Sequence, residues 1–282
     1  MPAFLHWDGM PPGQHRLPCP SCGRGTRQDR TLGVTVTEDG HGVAHCFRCH
    51  YVETRRPSPV RRKGAGVPAT TARVPVPAKN ETLAPAARAL WSDSLPITRG
   101  TPAAEYLETR RCVLPPPDGD PRWLPNHRHP SGHRGPCLVA LLTDAHTREP
   151  RSLDFTWVEG GRKADLATPR LLLRGHVKRN CVCRLWHDEV VTLGLGIAEG
   201  LETALSLAHA YTPVWACIDA GNLAQFPVLA GIQALTIACD RDPAGEHAAH
   251  ACATRWAAAG AEVWVTRQAC NDLNDLVQEV RE

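Results

Sequence analysis

Two cysteine pairs constrain this chain more than any other feature. Cys19-Pro20-Ser21-Cys22 and Cys46-Phe47-Arg48-Cys49 are C-x-x-C knuckles separated by 23 residues. Two residues between thiolates let a tight turn aim both sulfurs at one ion. Two such turns close a tetrahedral four-sulfur site, the usual structural zinc arrangement. A redox C-x-x-C of thioredoxin type comes singly, at a helix start after a strand, and does not fit this pattern. His15, His45 and His50 are rival ligands that a full set of four thiolates does not need. Between the knuckles, Leu32-Gly33-Val34-Thr35-Val36-Thr37 alternates in the manner of a strand, and Asp39-Gly40 offers a hairpin turn. Residues 1–53 therefore read as a small β zinc ribbon with too little apolar material to fold without its metal.

The remaining eight cysteines are scattered, several in apolar runs, and read as small core residues. A chain of 282 residues that is neither short nor secreted is not a disulfide scaffold. The N-terminus lacks a basic stretch followed by an apolar one, so no signal peptide is expected. No run of 18 apolar residues predicts a membrane helix. The expected location is the cytoplasm, where thiols stay reduced.

Charge is distributed unevenly. Residues 1–80 carry a net +7, residues 81–185 a net +5 and residues 186–282 a net −9. A basic front suits a polyanionic partner, and an acidic back suits divalent cations. Residues 54–80 hold Arg55, Arg56, Arg61, Arg62 and Lys63 among Pro, Gly and Ala, a composition that builds no core and reads as a flexible basic linker.

Residues 81–185 read as a small α+β domain. Helices are expected within 84–112, the second from Pro102 to Arg111 with Thr101 as its cap. Residues 115–135, rich in Pro, Gly and His, read as loop, and two pairing strands follow at 138–142 and 152–158. Residues 186–282 alternate strand and helix: strands at 190–195 with 197–198, 214–218, 235–239 and 262–266, and helices at 201–210 and 245–259. That alternation implies parallel βαβ units. The fold class is α/β.

Acids stand where those strands end. Ile197-Ala198-Glu199-Gly200 places a carboxylate between a strand and a helix, the edge at which open α/β sheets bind ligands. Ile237-Ala238-Cys239-Asp240-Arg241-Asp242 repeats the arrangement, and an extended backbone would send Asp240 and Asp242 to one face. Carboxylates so placed repel unless a hard cation lies between them, and Mg2+ (or Mn2+) is the ion expected. A helix-terminal acid or a turn-forming Asp is the alternative for each one alone. Glu202, Asp219, Asp272 and Asp275 are left open between capping and metal binding.

These residues resemble the Toprim domain shared by bacterial primases, topoisomerases and some nucleases: Glu199-Gly200 and Asp240-Arg241-Asp242 match its two acidic motifs, and Pro243-Ala244-Gly245 is similar to the primase extension of the second. Asn271 to Asp275 resembles a later element of phage and plasmid primases, with Asn271 in place of Lys. The knuckle Cys19-Pro20-Ser21-Cys22-Gly23, the pair Asp29-Arg30 and the closing Cys46-x-x-Cys49 resemble the zinc ribbon of phage and mobile-element primases. Asp219 departs from the family, where a small residue is usual.

The resemblance implies a Rossmann-like parallel Toprim sheet over 186–282 and a Mg-dependent DNA primase, making RNA primers from ribonucleoside triphosphates on single-stranded DNA. In it Glu199 acts as general acid/base or metal ligand, and Asp240 and Asp242 hold Mg2+. Arg24, Arg27, Arg30 and Arg48 would touch template phosphates, and Phe47 or Tyr51 would stack on a base. Lys163, Lys178 and Arg179 are candidates for nucleotide phosphate. No P-loop is present, so a separate replicative helicase is the expected partner. A Toprim nuclease and a non-catalytic zinc-ribbon DNA-binding accessory protein are the competing readings. A topoisomerase needs a tyrosine nucleophile, and only Tyr51, Tyr106 and Tyr211 exist.

Overall fold

The alternating segment after the first knuckle forms a strand, and three more complete its sheet. β1 (Gly13–Leu17), β2 (Leu32–Val36), β3 (Gly42–Cys46) and β4 (Val52–Arg55) run as an antiparallel meander in chain order. Register sets Leu32 opposite Cys46 and Val34 opposite Ala44, so one face gathers buried Leu32, Val34, Val36, Ala44 and Cys46 beneath Trp7. Gly42 is required there, because the Trp7 ring lies 2.3 Å from where a β-carbon would stand. Asp39-Gly40 makes the turn, with Gly40 at φ 80° and the Thr37 amide donating to the His41 carbonyl at 2.8 Å. Glu53 ties the N-terminal segment down, accepting from the Leu5 amide at 3.1 Å and the Trp7 indole at 2.7 Å.

In this computed structural model residues 5–7, 9–22, 30–46, 48–49, 51–55, 79–266 and 273–279 are described. The chain divides into two units, Met1–Val74 and Pro75–Glu282. The linker expected over 54–80 lies outside the described residues except at its two ends.

The second unit begins with α1 (Pro85–Ser92), β5 (Leu95–Pro96) and α2 (Pro102–Thr109). β6 (Pro121–Arg128), β7 (Arg134–Asp144), β8 (Pro150–Glu159), β9 (Arg162–Lys163), β10 (Arg170–Leu172) and β11 (Cys181–Arg184) follow. The last part runs β12 (Gly194–Ala198), α3 (Leu201–Leu207), β13 (Val214–Ala216), α4 (Ala220–Gln225), β14 (Ala234–Ala238), α5 (Pro243–Ala258), β15 (Glu262–Val265) and α6 (Leu273–Glu279). Thr101 caps α2, accepting from the Ala104 amide, with Pro102 in its first turn.

All eleven strands of this unit belong to one sheet, whose main path is β10-β8-β7-β11-β13-β12-β14-β15. β11 is the joint. It pairs antiparallel with β7 on one side and with β13 on the other. Beyond it every pairing is parallel: β12 with β13, β12 with β14, β14 with β15. The α+β segment and the parallel segment are thus continuous through one sheet. β12, β13 and β14 read as unbroken apolar runs because both faces are covered, whereas β15 at the edge is largely exposed. Leu201, Ala204 and Leu205 of α3 pack on one face. Leu223 and Phe226 near α4 and Ala248, Cys252 and Trp256 of α5 pack on the other, with Phe226 and Trp256 stacked at 5.7 Å.

Two segments differ from the sequence-based expectation. Residues 115–135 contain β6, although the composition reads as loop. Its prolines fall where a strand tolerates them: Pro121 is the first residue, and Pro125 lies at a register shift between Leu124 and His127. Residues 190–195 are not a strand throughout. Asp188–Val190 is a 3-10 turn, and pairing starts only at Gly194 opposite Ala234. Val190 and Leu193 are apolar but lie outside β12, and their side chains stay exposed at 50% and 58%.

Candidate functional site

The four cysteines of the ribbon converge. Their sulfurs all lie within 4.8 Å of one another, with Cys19 to Cys49 at 3.6 Å and Cys22 to Cys46 at 3.7 Å. Zinc–thiolate bonds of about 2.3 Å at tetrahedral angles put sulfurs about 3.8 Å apart. The sulfurs therefore already trace the edges of such a site. Each knuckle aims a backbone amide at its first sulfur: Ser21 to Cys19 and Arg48 to Cys46, both at 3.4 Å. Such amides stabilise thiolate charge. The residues fit Zn2+, and nothing in the set is missing.

Of the ribbon side chains assigned to nucleic acid, Arg24, Arg27 and Phe47 lie outside the described residues. Arg30 is exposed. Arg48 reaches across to the Cys22 carbonyl at 3.4 Å, linking the two knuckles. Tyr51 is half-buried, its hydroxyl donating to Glu53 and its ring packing against the ribbon core.

In the second unit three parallel strands end level with one another, Ala198 opposite both Ala216 and Ala238. Glu199, Asp219 and Asp240 to Asp242 follow those ends, so they occupy one edge of the sheet, where open α/β sheets bind ligands. Burial pushes the Glu199 carboxyl above its ordinary value, and the charges of Asp242 and Asp219 push the same way. The Ala220 amide and Arg170 oppose them. The charges of Asp242 and Asp219 therefore reach Glu199.

The segment after β14 does not continue straight, although Asp242 keeps an extended backbone. It bends at Arg241 and Asp242, and Asp242 becomes the cap of α5, one oxygen accepting from the Gly245 amide at 2.7 Å. Gly245 is glycine because the Asp240 carbonyl oxygen lies 2.6 Å from where a β-carbon would be. That packing explains the Ala-Gly after the acidic pair. Asp240 has one carboxylate oxygen closed off from solvent. Among the described residues, the cysteine quartet is the only set of three or more ligand side chains with donor atoms within 4.8 Å of one another. The carboxylates share an edge without being drawn to that spacing.

The lysines assigned to nucleotide phosphate are both paired with acids, one of this edge and one further inside. Lys178 meets Asp219 at 2.7 Å, and Lys163 meets Glu202 at 2.9 Å. Arg179 is exposed. Asp219 resolves into two roles: it caps α4 by accepting from the Asn222 amide at 2.9 Å, and it carries charge toward Glu199. Sequence reasoning missed Arg170. Its guanidinium binds Asp154 at 2.7 Å and donates to the Ile218 carbonyl at 3.1 Å. Ile218 has φ 77°, a left-handed conformation that costs a β-branched residue about 1–3 kcal/mol. Arg170 thus braces a strained turn at the edge and supplies its nearby positive charge. No local pattern marks Arg170, because its partners come from β8 and the end of β13.

Glu202 belongs to the interior rather than to the edge. Tyr106 of α2 donates to it at 2.5 Å, and Lys163 approaches from β9. Burial alone would raise its carboxyl, but Lys163 and Tyr106 hold it down to about 2. A carboxyl depressed in the folded state stabilises the fold above its unfolded value and loses that contribution as pH falls toward the folded value. The Glu202 contribution, on the order of 2–3 kcal/mol, is expected to disappear between about pH 5 and pH 2. Urea unfolding of Glu202→Gln alongside the unmodified chain checks this: the stability gap should narrow as pH falls through that window. Asn274 of α6 is fully buried, donating to the Arg110 carbonyl at 2.8 Å and to Ser206 at 2.9 Å, which makes it structural. Asn271 and Asp272 lie outside the described residues.

The C-terminal part of the chain is a Toprim domain: residues 194–282 match the family model of that description. Residues 81–184 match the model of a domain of unknown function, DUF7146. Among solved structures, the chain is similar to the primase fragment of the bacteriophage T7 primase-helicase protein, at 16% identity and TM-score 0.40, covering 93% of this chain and 92% of that one. It is also similar to the Aquifex aeolicus primase (zinc-binding and RNA polymerase domains), at 14% identity and TM-score 0.43, covering 64% and 53%. A DNA primase domain from Pseudomonas aeruginosa is similar at 13% identity and TM-score 0.35, covering 54% and 51%. The chain spans about half the length of the latter two. No curated protein matches it. No helix among the described residues is long and apolar enough to cross a membrane.

Proposed function

We propose that this chain is a DNA primase, a nucleotidyltransferase that joins ribonucleotides into short RNA primers on a single-stranded DNA template. The observation that carries this reading is the acid-bearing edge of the Toprim domain in a chain that also has a four-cysteine ribbon. The carboxylates of Glu199, Asp240 and Asp242, with Asp219 beside them, are the donors for Mg2+ or Mn2+. Burial, and then the charges of Asp242 and Asp219, raise the Glu199 carboxyl, and a hard cation is what relieves such crowding of carboxylates. A bound divalent ion supplies neutralisation of the triphosphate and activation of the attacking 3′-hydroxyl.

The chain's own side chains do the rest. Glu199, held in a more basic state than a free carboxylate, is suited to take up a proton at the edge. Arg170 keeps the Ile218 turn in place, and Lys163, Lys178 and Arg179 are assigned to nucleotide phosphate. Arg24, Arg27, Arg30, Arg48 and Phe47 of the ribbon are assigned to the template. Strand separation is assigned to a separate helicase.

The test is incubation of the zinc-loaded chain with single-stranded DNA, labelled ribonucleoside triphosphates and Mg2+. Template-dependent oligoribonucleotides are the expected product. Cleavage of the DNA would instead identify a Toprim nuclease. Binding without either reaction would identify a replication accessory protein. Either result overturns the primase reading.

A further inference from the structure

We infer that the tip of the β6–β7 hairpin is a binding surface for single-stranded DNA, distinct from both the ribbon and the carboxylate edge. It rests on the reading that this chain acts on single-stranded nucleic acid.

Residues 125–136 hold His127, Arg128, His129, His133 and Arg134 and no acid. Arg128 and Arg134 stand directly opposite each other across the two strands, and both are exposed. Like charges at directly opposed positions destabilise a hairpin. Some exposed arginines of this unit meet carboxylates, as Arg88 does with Glu149 and Arg148 with Glu189. Among the described residues neither Arg128 nor Arg134 has such a partner.

The hairpin is nonetheless held firmly. His127 stacks on Phe155 at 4.8 Å and on Trp157 at 5.4 Å, and the Trp157 indole donates to the His127 carbonyl at 3.0 Å. His129 is buried edge-on to Trp157 at 4.7 Å, bonded to Ser131 at 2.7 Å and to the Thr168 carbonyl at 3.1 Å. Strand alternation puts this aromatic layer on one face and the two arginines on the other. The register places the arginines on the face shared by Leu138, Thr156 and Arg170. That face also carries Asp154, which holds the guanidinium of Arg170. Four residues separate Arg134 from Leu138, about 13 Å along the strand. The hairpin is therefore a braced, acid-free pair of guanidiniums on the sheet face that leads to Arg170. Two forks at fixed spacing suit successive phosphates of one strand.

The experiment is anisotropy of a fluorescein-labelled 20-nucleotide oligo(dT) bound by the full zinc-loaded chain, titrated at several salt concentrations. Two lost phosphate contacts reduce the slope of log affinity against log salt by about 1.4, since each contact to a single strand contributes about 0.7. Arg128→Ala/Arg134→Ala should show that reduction, while Arg128→Lys/Arg134→Lys should keep most of the slope. Arg88→Ala on α1 should leave it unchanged. Thermal melting separates binding from folding: removing an opposed like-charged pair should leave the melting temperature equal or higher. An unchanged slope in the double alanine variant, or a lower melting temperature, overturns the proposal. Primer synthesis is scored apart. A chain that makes no primer but shows the slope change keeps this surface while losing the primase reading.

Discussion

Removing zinc is expected to unfold the ribbon and leave the second unit intact. The apolar core of the ribbon consists of Trp7, Leu32, Val34, Val36 and Ala44 with the cysteines themselves, far less than an independent fold needs. Four converging thiolates cannot be held together without a cation, since their charges repel. The apparent binding energy of a structural zinc in such small domains, about 10–16 kcal/mol, is therefore folding energy. Hydrogen exchange followed by mass spectrometry on the chelated chain should show β1 to β4 losing protection completely. Protection of β7, β8, β12 and β14 should be unchanged. Cys46→Ser should behave like the chelated chain even with zinc present. A ribbon that keeps its protected amides without metal would show that hydrophobic packing, not the ion, holds it.

Loss of the edge carboxylates is the second large effect. Glu199→Gln and Asp240→Asn keep size and remove charge, so primer synthesis should fall by about two to four orders of magnitude, the range for a missing acid/base or metal ligand. Asp242 offers a sharper comparison because it has two jobs. Asn is as good an N-cap as Asp, so Asp242→Asn should keep the fold within about 0.5 kcal/mol and still lose activity. Asp242→Ala should lose activity and in addition about 1 kcal/mol of stability through the missing cap. Primer yield and urea unfolding measured on the same preparations separate the two roles. An Asp242→Asn enzyme with full activity would reduce Asp242 to a capping residue.

Local chemistry made much of this molecule readable in sequence. The knuckle spacing announced the cysteine quartet, the Thr/Val alternation and Asp39-Gly40 announced a hairpin, and Thr101-Pro102 announced the start of α2. β12, β13 and β14 declared themselves as apolar runs leading to an acid, since both their faces are covered. What stayed hidden depends on distant partners. β11 is only four residues long, and its part in joining two segments into one sheet comes from neighbours in β7 and β13. β6 was masked by prolines that happen to fall at a strand start and a register shift. The pairing of Lys163 with Glu202 and of Lys178 with Asp219 crosses from one segment to the other. A lysine awaiting phosphate and a lysine already neutralised look alike in sequence. The capping role of Asp242 was hidden too, because an extended acid after a strand and an extended acid that caps a helix look alike in sequence.

The shared use of one cation by these carboxylates is the point on which the rest turns, and Mn2+ reports it directly. Electron paramagnetic resonance of free Mn2+, titrated with the zinc-loaded chain, should show signal lost to bound ion. Asp240→Asn and Glu199→Gln should each bind markedly less, with the fold intact by circular dichroism. Equal Mn2+ uptake by the unmodified chain and both variants would place the ion elsewhere and contradict a metal-assisted site at this edge.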